Sequence, residues 1–261
     1  MKQRIITGVV AAALFLPIVY YGGIPLVLLT YFLATIGLYE LMKMKKLNIF
    51  SIHGILSILF LWVLIFPEKY SHISEAFYYS KTEVCIVFIL LLLTYTVVTK
   101  NRFTFEDVSF SILSSLYVGI GFYFFFETRV DGGLVYILYS LFMVWATDSG
   151  AYFIGKALGK RKLWPEISPN KTVEGFVGGV VCAVVISLLF VLFTDINGSI
   201  IGITVVLSIF GQIGDLVQSA FKRHFNVKDS GTILPGHGGI LDRFDSLLFV
   251  WPILNLFHLW V

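Results

Sequence analysis

The sequence predicts an all-α fold: a polytopic integral membrane protein of about nine transmembrane helices, N-terminus inside and C-terminus outside. Three observations predict it. Of 261 residues, 57% are hydrophobic and only 13% are charged, about half the charged fraction of an ordinary soluble domain. Apolar runs of about 17 to 25 residues, the length that crosses a bilayer, recur along the chain. Lysine and arginine collect in alternate connections between those runs, the pattern of the positive-inside rule.

The predicted spans are about 5–21, 24–41, 51–66, 84–98, 108–126, 133–155, 173–193, 199–221 and 240–260. The first has a basic start and an apolar stretch like a signal peptide, but another apolar span follows at once, so it is read as a retained helix. Its separation from the second rests on Tyr21-Gly22-Gly23 and Pro25, typical turn punctuation. The organisation expected is an N-terminal block of about five helices, 1–132, and a transmembrane region, 133–261, that carries the candidate chemistry on polar loops 156–172 and 222–239.

With the N-terminus in the cytoplasm, only Lys69, Lys81 and Arg129 of the 19 lysines and arginines fall outside. Both polar loops then face the cytoplasm from the cell membrane. Basic charge concentrated there suits anionic lipid headgroups and soluble phosphate compounds; nucleic acid is not an expected partner. Cys85 and Cys182 lie in separate apolar spans and match no metal spacing, so they are read as small buried hydrophobes.

The candidate chemistry lies in three places. Asp148 and Asp215 each interrupt an apolar span, where an acid is costly and is usually paired, metal-bound or set in a polar cavity. After Asp215, Gln218, Ser219 and Lys222 follow at helical spacing, so one face carries an acid, a hydroxyl and a cation. The run Ser219–Asp245, SAFKRHFNVKDSGTILPGHGGILDRFD, is the densest in charge and glycine. Within it Asp242 and Asp245 share a helix face, Gly238-Gly239 permit a sharp turn with N–H groups open to an anion, and His237 lies between glycines. The third block surrounds Ser168-Pro169, read as an N-cap and first helical residue, with Lys171 and Thr172 in the first turn and Glu174 compensating the helix dipole. Glycines Gly175, Gly178 and Gly179 are expected to let helices pack closely. Clustered carboxylates beside basic residues call for a hard cation, Mg²⁺ rather than zinc, together with phosphate. A transporter using Asp148 and Asp215 for ion coupling is the non-enzymatic alternative; it lacks an internal repeat, and the polar residues crowd toward one face.

The run from Ser219 resembles the signature of the phosphatidate cytidylyltransferase (CDP-diacylglycerol synthase) family of bacterial type. The matching residues are Ser219, Phe221, Lys222-Arg223, Lys228-Asp229, Gly231, Leu234-Pro235, His237-Gly238-Gly239, Asp242-Arg243 and Asp245. The stretches DSGAYFIGK and SPNKTVEGFVGG resemble it too, with Asn170 where many members carry lysine. The resemblance implies transfer of CMP from CTP to phosphatidic acid, giving CDP-diacylglycerol and pyrophosphate. It implies a magnesium-dependent site in which Asp215, Asp242 and Asp245 hold the metal and, with Lys222, carry catalysis; one or two cations remain open. Arg223, Lys228 and Arg243 would hold phosphates, Ser219, His237, Gly238 and Gly239 would contact them, and Asp148, Lys171 and Thr172 would form the opposite wall. A homodimer is an expectation of the resemblance alone. A CTP-dependent lipid kinase is the second enzymatic reading, while a CDP-alcohol phosphotransferase lacks its D-G-x-x-A-R pattern here.

Overall fold

The structure, a computed structural model, describes residues 2–67 and 80–259. The elements in order are α1 (Lys2–Tyr21), α2 (Gly23–Met44), α3 (Ile52–Leu64), α4 (Lys81–Val98), α5 (Phe105–Val130), α6 (Gly133–Leu158), β1 (Lys162–Trp164), β2 (Ser168–Thr172), α7 (Val173–Phe193), α8 (Ile200–His224), α9 (Leu241–Phe244) and α10 (Leu247–Leu256). The described residues are all-α apart from one short hairpin.

Six of the described helices are long and apolar enough to cross a membrane: α2, α4, α5, α6, α7 and α8. The other expected spans, 5–21, 51–66 and 240–260, hold shorter apolar helices, Ile6–Tyr21, Ile52–Leu64 and Leu247–Leu256. The last is shortened because a turn at Asp245 and Ser246 separates α9 from α10, although Ser246 keeps helical φ and ψ. Most of the predicted loop at 67–83, with Lys69, lies outside the described residues. Large apolar side chains such as Phe193 (82% exposed) and Val97 (77%) project outward from these helices, which suits hydrocarbon and not water.

By packing, the chain divides into two compact units: residues 1–126 with 230–240, and residues 127–229 with 241–261. The loop Ser230–Ile240 therefore belongs to the same unit as the N-terminal helices, whereas the sequence reading groups it with 133–261.

In the first unit, the break expected at Gly22-Gly23 is present. Both residues have left-handed φ, +67° and +57°, a conformation that side chains with a Cβ seldom adopt. The core is built from fully buried Leu26, Leu38, Phe60, Leu61, Phe122 and Phe125. Helix α5 meets α3 where Ser115 Oγ donates to the Ser57 carbonyl at 3.2 Å. A carboxylate, Glu40 in α2, is wholly buried in this unit.

In the second unit, α6 and α7 touch along a seam of small residues. A Cβ on Gly175 would lie 2.6 Å from the Ala151 carbonyl oxygen, and one on Gly179 would lie 2.8 Å from that of Thr147. The expectation that these glycines permit close packing is met. Cys182 faces Gly150 across the same seam, and both cysteines are free. Hydroxyls and amides tie the helices elsewhere: Tyr139 to Thr204 at 2.7 Å, Trp251 Nε1 donating to Ser140 Oγ at 3.0 Å and Asn255 Nδ2 donating to Thr128 Oγ1 at 2.6 Å. In an apolar span such bonds satisfy polar groups that lipid cannot.

The hairpin pairs Lys162 with Thr172 and Trp164 with Ser168. This corrects the reading of Ser168 as an N-cap. The cap of α7 is Thr172, whose hydroxyl accepts from Gly175 N at 3.1 Å. Lys171 and Thr172 thus precede the helix instead of forming its first turn. The residue before a proline favours extended backbone, which serves a strand as well as a cap.

Candidate active site

Local packing in the second unit determines where the carboxylates meet. Helix α8 presses against the turn between α9 and α10 because residue 214 is glycine. A Cβ there would lie 2.5 Å from the Asp245 carbonyl oxygen and 2.9 Å from Phe249 Cδ2. Asp215, next in the chain, is thereby brought into electrostatic range of Asp245. Asp148, on α6, belongs to the same charge cluster: it interacts with Asp215, Lys171 and Arg243. Three acids from α6, α8 and the Asp245 turn thus share one field.

Cations alternate with these acids. Lys171 Nζ lies 2.6 Å from Asp215 Oδ2, and Lys222 Nζ donates to Asp242 Oδ1 at 2.7 Å. The first pair is about one-third exposed, while Asp242 retains only 5% of its side-chain exposure. Charge-assisted bonds of this length are strong when partly withdrawn from water. Asp245 Oδ1 accepts from Ser246 N at 2.8 Å. The Lys171–Asp215 pair joins the strand before α7 to α8, a specific pairing that the sequence reading does not name.

Other expected residues lie in the same unit. Arg223 Nε donates to the Ile167 carbonyl at 3.2 Å, fastening the hairpin turn to the end of α8. Glu174 does more than offset a helix dipole: its carboxylate accepts from the backbone N–H groups of Lys160 and Arg161 at 3.0 and 3.2 Å. That closes the polar loop onto α7. Lys228 and Arg243 are exposed, Asp148 is exposed, and Ser219 is half-buried on α8. Gln218, on the same helix, is fully buried, and neither of its amide atoms has a partner among the described residues.

His237, Gly238 and Gly239 lie in the first unit. His237 N donates to the Leu234 carbonyl at 2.8 Å, and Leu234 N to that of Gly238 at 3.0 Å. Gly236 and Gly238 hold the left-handed φ values, +77° and +87°, that this tight turn needs. The His237 ring comes close to Gly8 of α1, and its Nδ1 is buried without a partner among the described residues. The anion that Gly239 approaches is the protein's own. Glu40 Oε1 accepts from Ile240 N at 2.8 Å and Oε2 from Ser230 Oγ at 2.9 Å. Glu40 is the residue that sequence reasoning missed. The rule applied to Asp148 and Asp215, an acid inside an apolar span, would have found it at the end of the second span.

The carboxylates are all-oxygen donors and repel one another, which fits a hard divalent cation. They are not gathered into a ready-made set of metal ligands: among the described residues, no group of three His, Cys, Asp or Glu side chains is placed to hold a metal ion. Lysine ammonium groups stand against Asp215 and Asp242 instead. What the cluster can do is bind phosphate through its lysines and arginines, and accept a cation at Asp215 and Asp245.

Comparison with known proteins agrees with this chemistry. A family model described as "Cytidylyltransferase family" matches residues 2–261. The chain is 55% identical over 259 residues to the phosphatidate cytidylyltransferase of Bacillus subtilis (strain 168), covering 97% of this chain and 96% of that protein. It is 50% identical over 261 residues to the phosphatidate cytidylyltransferase of Staphylococcus haemolyticus (strain JCSC1435), covering 98% of each. Identity to the protein of that name from Staphylococcus aureus (strain COL) is 49% over 259 residues, again covering 98% of each. The chain belongs to the cytidylyltransferase family.

Proposed function

We infer that this protein is a phosphatidate cytidylyltransferase, transferring CMP from CTP to phosphatidic acid to form CDP-diacylglycerol and pyrophosphate for phospholipid synthesis. The observation that carries the reading is near-full-length similarity to relatives of that name. The alternation of lysines and aspartates in the second unit supports it.

In the reaction a phosphate oxygen of phosphatidic acid attacks the α-phosphorus of CTP. A new P–O bond forms, the bond to the β-phosphate breaks, and pyrophosphate leaves. The attacking oxygen is already ionised near neutral pH, so no strong general base is required. Catalysis then rests on alignment and on neutralising charge around the α-phosphorus. Lys171 and Lys222 exchange their carboxylate partners for phosphate oxygens, and Arg223, Lys228 and Arg243 add positive charge. Ser219 and His237 are phosphate contacts by resemblance. Asp242 orients Lys222. Asp215 and Asp245 would hold Mg²⁺, with Asp148 adding negative charge. When bound, the metal would neutralise charge on the phosphates. The polar loops face the cytoplasm in the cell membrane, where CTP is dissolved and the lipid phosphate sits at the inner leaflet; the assembly is a homodimer.

The test is incubation of purified protein with phosphatidic acid, labelled CTP and Mg²⁺. CDP-diacylglycerol and pyrophosphate should appear in equal amounts, stop with EDTA and resume with added Mg²⁺. Replacing phosphatidic acid by diacylglycerol should give no phosphorylated lipid. Absence of CDP-diacylglycerol beside a working control enzyme would remove the reading.

A further inference from the structure

Glu40 is wholly buried in α2, a helix apolar enough to cross a membrane. An acid withdrawn from water at such a place is stable only when its oxygens are satisfied. Its oxygens meet both ends of one loop: Ser230 Oγ donates at 2.9 Å from one end and Ile240 N at 2.8 Å from the other. The fit is close. A Cβ on Gly231 would lie 2.5 Å from Oε1, and one on Gly239 would overlap both carboxylate oxygens and Ser230 Oγ. Only glycine allows the backbone to approach the carboxylate this closely.

The tip of the loop is tied separately. The bonds from Leu234 N to the Gly238 carbonyl and from His237 N to the Leu234 carbonyl close it. Glu40 closes the neck, and His237 and Gly238 lie between these two fastenings. The chain then runs from Ile240, itself bonded to Glu40, directly into Leu241, the first residue of α9 and neighbour of Asp242. An apolar residue of similar size could fill the space in α2, but it could not gather two donors from the loop.

We propose that Glu40 is a positioning residue for cytidylyl transfer: its carboxylate clasps the neck of loop Ser230–Ile240, fixing His237 and Gly238 within it. This rests on the function inferred above. The carboxylate form, with acceptors alone, is the one that matches two donors. Glu40→Gln places an amide N–H₂ against one of them, whereas Glu40→Asp keeps both acceptors on a shorter stem.

The experiment uses the purified full chain and two readouts, steady-state kinetics and amide hydrogen exchange. For Glu40→Gln we expect exchange in peptides spanning 230–240 to rise at least tenfold while α7 peptides keep wild-type exchange, as local opening predicts. We expect kcat to fall by about 10- to 100-fold, the scale of a misaligned group, with KM for CTP changed by less than about threefold. Glu40→Asp should recover part of kcat. Wild-type exchange in 230–240, or wild-type kcat, in Glu40→Gln would overturn the proposal. So would faster exchange throughout the chain with no recovery in Glu40→Asp, the mark of a general packing role. Should Glu40→Gln fail to fold, Ser230→Ala decides by the same two readouts, with kcat lowered by about threefold to tenfold for one lost hydrogen bond; unchanged exchange and kcat there overturn the proposal. If the unaltered protein makes no CDP-diacylglycerol, the inferred function fails, while exchange in 230–240 still reports whether Glu40 holds the loop.

Discussion

Gly214→Ala tests whether the approach of α8 to the Asp245 turn sets the carboxylate cluster. The added Cβ would lie 2.5 Å from the Asp245 carbonyl oxygen, whereas ordinary contact begins at 3.4 Å. The two segments must therefore separate by about 0.9 Å, the difference between those distances. Neither obstacle yields cheaply, since one is backbone and the other is the edge of the Phe249 ring. Overpacking of this kind costs about 1–3 kcal/mol of stability. The displacement passes straight to Asp215, the next residue, and to Asp245 itself. A misplacement near 1 Å lowers turnover by about 100-fold, equivalent to about 2.7 kcal/mol in the barrier. The assay is the initial rate of CDP-diacylglycerol formation, read beside thermal unfolding in the same lipid or detergent. Gly202→Ala is the matched control: it lies in the same helix, and its Cβ would have nothing within 4 Å. It should keep the wild-type rate and gain roughly 0.5–1 kcal/mol from helix propensity. Wild-type rate and Tm in Gly214→Ala would refute the reasoning.

Three further outcomes are expected. Asp245→Asn should abolish turnover, a loss of about 1,000-fold or more for a removed metal ligand, with unchanged unfolding and elution; a retained rate would remove Asp245 from the metal. Lys222→Met leaves Asp242, 5% exposed, without its ammonium partner and should cost about 3 kcal/mol. The Lys222→Met/Asp242→Leu double variant should recover most of that loss, and a coupling energy below about 0.5 kcal/mol would show that the pair contributes nothing. Thr172→Val removes the α7 cap bond to Gly175 N and should cost about 1 kcal/mol, while Thr172→Ser retains it; equal Tm values for the two variants would contradict this.

The helices were legible because hydropathy and length speak plainly in a membrane protein: each of the six long apolar helices matches a predicted span to within four residues at either end. A partner for Asp215 could be expected because acids in apolar spans need one, but its identity as Lys171 could not be read from spacing. The seam of Gly175, Gly178 and Gly179 was legible as a close approach. The start of α7 was not, because Ser-Pro suits a strand end as well as a cap, and only pairing with Lys162–Trp164 decides between them. The division of the last predicted span was equally opaque, since hydropathy does not register the turn at Asp245 and Ser246 that separates α9 from α10. Glu40 could have been flagged as an acid in an apolar span, but its partners were hidden by distance, 190 and 200 residues further along. No local pattern encodes such a contact.

The two lysine–aspartate pairs have a thermodynamic consequence. At rest, Lys171 and Lys222 neutralise Asp215 and Asp242. A triphosphate that draws either ammonium away leaves a carboxylate uncompensated, and a divalent cation that takes the carboxylate leaves an ammonium without its counter-ion. Each ligand alone breaks a pair; together they make two new ones. Nucleotide and cation should therefore raise each other's affinity by the same factor. The protein would behave as an ion exchanger that opens only when both ions arrive, so that CTP without its metal holds poorly and leaves unspent.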